Sequence, residues 1–287
     1  MSHRLPRFLR YSLAATLPAL GLLIGGLSSA AGASTQPSAQ AQATALAKAA
    51  IKQLMIGQHP TNHRVHGYSR HQISGLTSVQ STNWSGYADT GSAFSKVTGN
   101  WTEPSASCTS NRESLAAFWV GIDGFTSGSV EQDGTLIECF HRQAFQFTWW
   151  EMYPTNAIQV VGQTLAAGDS VSASVVRSGS NYTLAVTDAQ HPANSFTTTQ
   201  SCSSCANTSA EWIAEAPSSS SGVEPLAHFS TWTDSNSTVT SGSSSGVISS
   251  FTDDEITMIN NSGAVKAQPG ALNSAGNGFS VSWERAS

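Results

Sequence analysis

No aspartate or glutamate occurs in the first 80 of the chain's 287 residues, and basic residues are scarce in the remainder. All 18 acidic residues lie beyond Gln80, set against Lys96, Arg112, Arg142, Arg177, Lys266 and Arg285, a net charge of −12. The first 80 residues carry +7. A nucleic-acid binder needs a concentrated basic surface, so the later region is excluded from that class. A strongly acidic balance suits a protein that works in acid, where carboxylate repulsion fades as groups protonate. Histidine is sparse there too: only His141, His191 and His228 occur, with no HExxH spacing of the zinc hydrolases. The usual hydrolase nucleophiles are also missing. The G-x-S-x-G match at Gly242 to Gly246 falls in a Ser/Gly-rich stretch, without the strand–turn–helix context that motif needs. Asp123 sits in D-G rather than the D-T-G or D-S-G of aspartic peptidases, and no second copy exists.

Cysteine is limited to Cys108, Cys139, Cys202 and Cys205. A four-thiolate zinc site wants two close pairs, and Cys108 and Cys139 are too far apart in sequence to form one. No thioredoxin-like βαβ pattern surrounds the CSSC pair. An even count behind an export signal points to disulfides, with Cys108–Cys139 and Cys202–Cys205 the preferred of three connectivities.

That signal occupies residues 1–33. Arg4, Arg7 and Arg10 precede an apolar run from Leu13 to Leu27, and Ala31 and Ala33 stand where a signal peptidase prefers small residues. The run is short and broken by Pro18 and Gly21, which argues against a membrane anchor. The expected localisation is secreted and extracellular. Residues 34–80 have one aromatic, Tyr68, and a helical stretch, QAQATALAKAAIKQLMI, stopped by Gly57 and Pro60. His59, His63, His66 and His71 follow. Such a segment cannot bury a core, so a basic pro-segment is expected.

Residues 81–287 read as one all-β domain. Val171, Ala173 and Val175 alternate with serines, and after the turn RSGSN the series Tyr182, Leu184 and Val186 alternates with polar residues. That is a hairpin with one face buried. Short strand-like runs recur at NWSGYAD, KVTGNWTE, LAAFWVGI, FQFTWWEMY, HFSTWT and FSVSWE. Many short strands with Gly, Ser and Asn turns indicate a sandwich or barrel. Ser235 to Ser250 reads as a surface loop entering a late strand.

Strand parity places the chemistry. In FWVGID, Phe118, Val120 and Ile122 face one way and suit the core. Trp119, Gly121 and Asp123 face the other, as the floor of a groove. Trp149, Glu151 and Tyr153 share a face, as do Glu211, Ile213 and Glu215. A neutral amide, Gln132, and a carboxylate, Glu211, are together sufficient to hydrolyse a peptide bond. The glutamate acts as base on water while the amide N–H holds the oxyanion. Glu211 with Glu151 or Asp123 equally fits the two-carboxylate pattern of a glycosidase. A Trp-lined groove also suits a lectin-like sugar-binding sandwich, and these alternatives stay open at this point.

Four motifs in order carry a resemblance: NWSGY, WVGIDG followed by a short loop and a Gln, W-x-E-x-YP, and AEWIAE. Over most of residues 81 to 260 the chain resembles the glutamic peptidases, or eqolisins. The resemblance implies a β-sandwich of two curved antiparallel sheets, peptide-bond hydrolysis at acidic pH, and no metal or organic cofactor. It places the catalytic pair on Gln132 and Glu211. Trp119, Asp123, Trp149, Glu151, Tyr153, Trp84 and Glu215 fall on the motif positions and are expected to line the substrate site. Two departures stand out: Phe147 replaces an acidic residue just before W-x-E, and CSSC is an addition. The expected partners are polypeptide substrates and the chain's own pro-segment as inhibitor, with the enzyme a monomer. Neither nucleic acid nor, after signal removal, membrane is expected.

Overall fold

In a computed structural model, residue 38, six residues between 41 and 49, residues 69–73 and residues 76–287 (save 163, 220 and 221) are described. The expected signal segment lies outside the described residues. The chain divides into two units, Met1–Pro37 and Ser38–Ser287, and only the second is described below. Ala41, Gln42, Thr44, Ala45, Leu46 and Ala49 are helical, within the stretch where the sequence predicts a helix.

Nineteen strands follow among the described residues. The first nine are β1 (Ser69–Ile73), β2 (Leu76–Ser81), β3 (Trp84–Thr90), β4 (Phe94–Thr102), β5 (Ser114–Ile122), β6 (Val130–Phe140), β7 (Gln143–Tyr153), β8 (Asn156–Val160) and β9 (Ser170–Ser178). Next come β10 (Asn181–Asp188), β11 (Phe196–Ser201), β12 (Ser209–Glu215), β13 (Ser218–Ser219), β14 (Gly222–Val223) and β15 (Trp232–Ser241). The last are β16 (Ser244–Gly246), β17 (Thr252–Ile259), β18 (Val265–Pro269) and β19 (Phe279–Trp283).

Their pairing makes the expected sandwich. One layer runs β8–β7–β6–β5–β12–β3–β17–β2–β1, and the other runs β11–β10–β9–β4–β15–β19–β18. The β17–β18 pairing joins the two layers at one side, so the sandwich is a single folded-over sheet. All pairs are antiparallel except β2 with β17. The larger core fills the space between layers, with Phe118, Val120, Ile122 and Trp212 meeting Val171, Ala173, Val175, Tyr182, Leu184, Val186 and Trp232. A second cluster, built on Trp84, Trp119, Leu136, Phe147, Trp149 and Ile213, covers the opposite face of the first layer. Its members alternate along each strand with those of the first core, the period-two pattern of a sheet apolar on both faces.

The β9–β10 hairpin forms as the alternation predicts, turning at Gly179 with φ 62°. Both disulfides are those expected, with Cα–Cα distances of 5.3 Å for Cys108–Cys139 and 5.7 Å for Cys202–Cys205. One expectation is corrected. Ser235 to Ser250 is not a loop: Ser235 to Ser241 continues β15, and β16 pairs back on it. Val239 is its one large buried apolar residue in that run, so alternation is nearly silent there. The strand is held instead by its ladder with β4 and by hydroxyl pairs such as Thr98 with Thr238 at 2.7 Å. β2 also lies in the sheet, and Val79 is fully buried against the second cluster.

Burial leaves several carboxyls strongly perturbed. Asp89, Glu131 and Glu138 are each raised to about 9, and Glu103 to about 8. Desolvation is the first cause in every case; Asp253, Asp123 and Glu113 respectively add repulsion to the first three. A folded-state pKa above the unfolded value means stability is complete below the unfolded pKa and drains away as pH rises toward the folded one. The window therefore runs from pH about 4 to about 9. Lys266, lowered to about 8 by burial, acts in the opposite sense only above that value. Thermal unfolding followed by circular dichroism is expected to show a midpoint that falls steadily from acid to pH about 8. A midpoint that rises over that range contradicts this burial account.

Candidate active site

The site is a single row of residues across six strands. Register sets Asp254 of β17 opposite Ala88 of β3, Ala88 opposite Glu211 of β12, and Glu211 opposite Gly121 of β5. Gly121 in turn lies opposite Gln132 of β6, and Gln132 opposite Glu151 of β7. Directly opposed residues share a face, so all six positions look the same way. Glu211 and Gln132 stand two strand spacings apart, about 9–10 Å at Cα. The residue between them has no side chain. A Cβ at Gly121 would lie 2.8 Å from the Trp119 ring and 3.2 Å from the Gln132 Cβ. Glycine thus lets the Trp119 ring pack against the backbone between the amide and the carboxylate.

Gln132 is oriented by its neighbour: its Nε2 donates to Glu151 Oε2 at 2.8 Å. Its Oε1 and both oxygens of Glu211 are buried with no hydrogen-bond partner within 3.5 Å among the described residues, the Ser209 hydroxyl and the Phe125 N–H bearing on Glu211 from further off. Buried polar atoms are rarely left so, and where they are, function is a common reason. Burial raises the Glu211 carboxyl well above its ordinary range. The Ser209 hydroxyl opposes that rise, the charges of Asp123 and Glu131 add to it, and the Phe125 N–H opposes it weakly. In this closed arrangement the neutral acid is the favoured form, whereas the sequence reading starts from the carboxylate.

The next row along the strands is the floor. Ile213, Trp119, Gly134 and Trp149 stand opposite one another in turn. Gly134 is required there, since a Cβ would fall 2.0 Å from the Phe118 carbonyl. Trp84 meets Trp119 edge to face with ring centroids 4.9 Å apart. Trp84, Trp119 and Trp149 have no exposed surface, so here they support the row from within the second cluster. Trp149 Nε1 donates to the Thr135 carbonyl. Glu215 accepts from Trp119 Nε1 at 2.9 Å and from Asn83 Nδ2 at 3.2 Å, which fixes the indole beneath Gly121. Asn83 was absent from the sequence-derived site, although it heads the same NWSGY motif as Trp84. Tyr153 closes β7 opposite Val130 and precedes a cis proline.

Asp123 departs from its expected place. Parity set it on the groove floor with Trp119 and Gly121, but β5 ends at Ile122 and Asp123 adopts a left-handed φ of 71°. Its carboxylate turns away to accept from Asn207 N, Thr208 N, Thr208 Oγ1 and Ser129 Oγ at 2.7 to 3.3 Å. It is a brace between the end of β5 and the segment entering β12, and strand parity does not extend past the last paired residue.

With this geometry, comparison with known proteins is direct. A match to the Peptidase A4 family covers residues 82–279. Aspergillopepsin-2 of Aspergillus niger is 30% identical over 197 residues, which span 60% of this chain and 70% of that protein. Scytalidopepsin B of Scytalidium lignicola is 33% identical over 149 residues, spanning 50% of this chain and 55% of that protein. Among solved structures, scytalido-glutamic peptidase with a peptide-based transition-state analogue superposes with a TM-score of 0.59 at 25% identity, over 71% of this chain and 98% of that one. Aspergilloglutamic peptidase from Aspergillus niger gives a TM-score of 0.52 at 26% identity, over 60% and 99%. The family match spans the whole six-strand row with its floor, and the chain belongs to the Peptidase A4 family as a glutamic endopeptidase.

Proposed function

We propose that this peptidase cleaves polypeptides with Glu211 and Gln132 as its catalytic pair, working in acid outside the cell. The observation that carries this reading is the row Glu211–Gly121–Gln132–Glu151, in which a buried carboxyl and a pre-oriented amide share one face on either side of a glycine. The scissile carbonyl and the attacking water lie between those two side chains. Water admitted with the substrate relieves the desolvation that raises Glu211, and the carboxylate then takes the proton of the attacking water. Gln132 has one N–H committed to Glu151, a second N–H for the developing oxyanion, and Oε1 for the water. Protonated Glu211 finally passes its proton to the departing amine nitrogen. A neutral amide is the appropriate partner, because a second carboxylate would repel the oxyanion. The two-carboxylate reading of a glycosidase is disfavoured for the same reason that orients Gln132: Glu151 is engaged with the amide.

Export is supported by the tripartite leader and by two disulfides, which persist in oxidising compartments. The pro-segment reading is supported by contact and charge. Ser38, Ala41 and Thr44 line one hollow with Ala144, Phe145, Gln146, Thr164 and Leu165 of the peptidase domain. The rows of the site carry Asp254, Glu211, Glu151 and Glu215 and no base, whereas residues 34–80 are basic and rich in histidine. Attraction between them weakens as the carboxylates protonate, so acid releases the segment.

Four outcomes are expected. Glu211→Gln removes peptide hydrolysis by about three orders of magnitude or more while the protein still folds, and Gln132→Ala lowers kcat by about a hundredfold to a thousandfold. Appreciable turnover by Glu211→Gln on a denatured protein substrate sinks the pair, and a change confined to KM recasts Gln132 as a binding residue. Gly121→Ala pushes on the Trp119 ring and on Gln132 and lowers kcat by on the order of a hundredfold. A Gly121→Ala enzyme with the parent's kcat shows that glycine is dispensable there. A separate peptide of residues 34–80 inhibits the processed enzyme near neutrality and not in acid, measured as initial rates against peptide concentration; equal inhibition in both conditions refutes the charge argument.

A further inference from the structure

The CSSC pair has no part in the mechanism above, yet its loop reaches both halves of the catalytic pair. Cys202 and Cys205 close a short loop between β11 and β12. The Cys205 carbonyl accepts from Asn207 Nδ2 at 2.8 Å, and Asn207 sits in the left-handed region with φ 56°. Its Oδ1 accepts from the Tyr182 hydroxyl at 2.6 Å. Tyr182 is fully buried on β10, in the other layer, so this bond ties the two layers together. With its side chain held at both ends, Asn207 presents its backbone N–H to Asp123 Oδ2 at 2.7 Å, and Thr208 N reaches Oδ1 at 2.9 Å. Asp123 N closes the ring by donating to the Ser209 carbonyl at 3.0 Å.

Two left-handed non-glycine residues, Asp123 and Asn207, therefore face each other and are held by bonds from three directions. Such conformations persist only where the surroundings over-determine them. Asp123 follows Gly121 by two residues, and Asn207 precedes Glu211 by four. The second arm is Glu131, the neighbour of Gln132. It is fully buried, and a carboxylate oxygen lies within 4.8 Å of both bridge sulfurs. The bridge thus packs behind the strand that carries the amide and anchors the segment that leads to the carboxyl.

We propose that the Cys202–Cys205 bridge and Tyr182 are positioning residues for peptide hydrolysis, acting through Asn207 and Asp123 to fix Glu211 relative to Gln132. The proposal rests on the Glu211–Gln132 reading of the site. It makes turnover sensitive to reductants: one phosphine and one water convert the bridge to two thiols, leaving a phosphine oxide, and Asn207 loses its fixed support. Cys202 and Cys205 are partly exposed, so a small phosphine can reach them.

The test compares Tyr182→Phe, the double variant Cys202→Ser/Cys205→Ser, their combination, and phosphine-treated parent, with kcat, KM and thermal midpoint measured for each. Tyr182→Phe keeps the buried ring and removes only the hydroxyl, so it tests the same contact even if loss of the bridge disturbs folding. Each change lowers kcat about tenfold with KM within about twofold, the scale of one lost buried hydrogen bond acting in the transition state. The combination falls no further than either alone, because all act on one ring of contacts. Phosphine reproduces the loss in the parent and adds nothing in the double variant, which still carries Cys108–Cys139. Parental kcat in Tyr182→Phe and in the bridge variant overturns the proposal, as does a loss that is additive or confined to KM. Glu211→Gln, run alongside, separates the two claims. Full activity there removes the catalytic pair itself, whereas an inactive Glu211→Gln beside unaffected bridge variants removes only the positioning role.

Discussion

Cross-strand register is the constraint on which the rest of this molecule depends. Glu211 and Gln132 are 79 residues apart in sequence, and they meet because β12, β5 and β6 pair with Gly121 between them. A slip of one residue in either pairing would send the amide or the carboxyl to the opposite face, into the apolar core between layers. The register is protected on both sides of the sheet. Phe118, Val120 and Trp212 lock one face into the main core while Trp119, Ile213 and Trp149 lock the other. Gly134 adds a steric check, since its place opposite Trp119 admits no Cβ. Packing that elsewhere would serve stability alone here sets the spacing of the proposed catalytic pair.

The same burial governs the electrostatics. Six basic residues beyond Gln80 cannot neutralise eighteen acids, and His191 pairs with Asp169 and Asp188. Burial therefore raises interior carboxyls such as Asp89, Glu131 and Glu138, which is inexpensive in acid and costly near neutrality. Within the row, that setting favours a glutamate whose proton affinity is raised by its surroundings, beside an amide that never ionises. A lysine or histidine in place of Gln132 would bring a full charge beside Glu211 and pull its pKa down, weakening it as a base. Composition and site chemistry are two expressions of one condition.

How much of this was legible before the structure follows from how local each signal is. Alternation exposed the β9–β10 hairpin and the two faces of β5 and β12, because apolar and small residues there keep strict period two. Gly121 was visible as a gap on the correct face, and its meaning appeared only when the strands on either side were known. β15 was hidden because its inward positions include Asp234 and Ser237, a hydroxyl–carboxyl pair in place of apolar side chains. Asp123 was misplaced because parity was carried one residue past the end of the ladder. Asn83, Asn207 and Tyr182 act through contacts spanning 132, 84 and 25 residues, for which a single sequence offers no signal beyond nearness to a motif.

Left-handed residues mark where β5 and β12, the strands that carry Gly121 and Glu211, are joined at their ends. A strand fixes spacing along itself and across to its neighbours, but its end is free to fray, and Glu211 lies only two residues inside the start of β12. Gly121 is closer still, one residue from the end of β5. The sheet alone thus leaves the reactive row near its least constrained margin, where local opening costs least. The Asp123–Asn207 contact supplies the missing constraint by tying those two ends to each other, and through Tyr182 to the opposite layer. The margin of a sheet and a rigid pair make opposite demands, and a hydrogen-bonded clasp outside the ladder meets both without lengthening either strand.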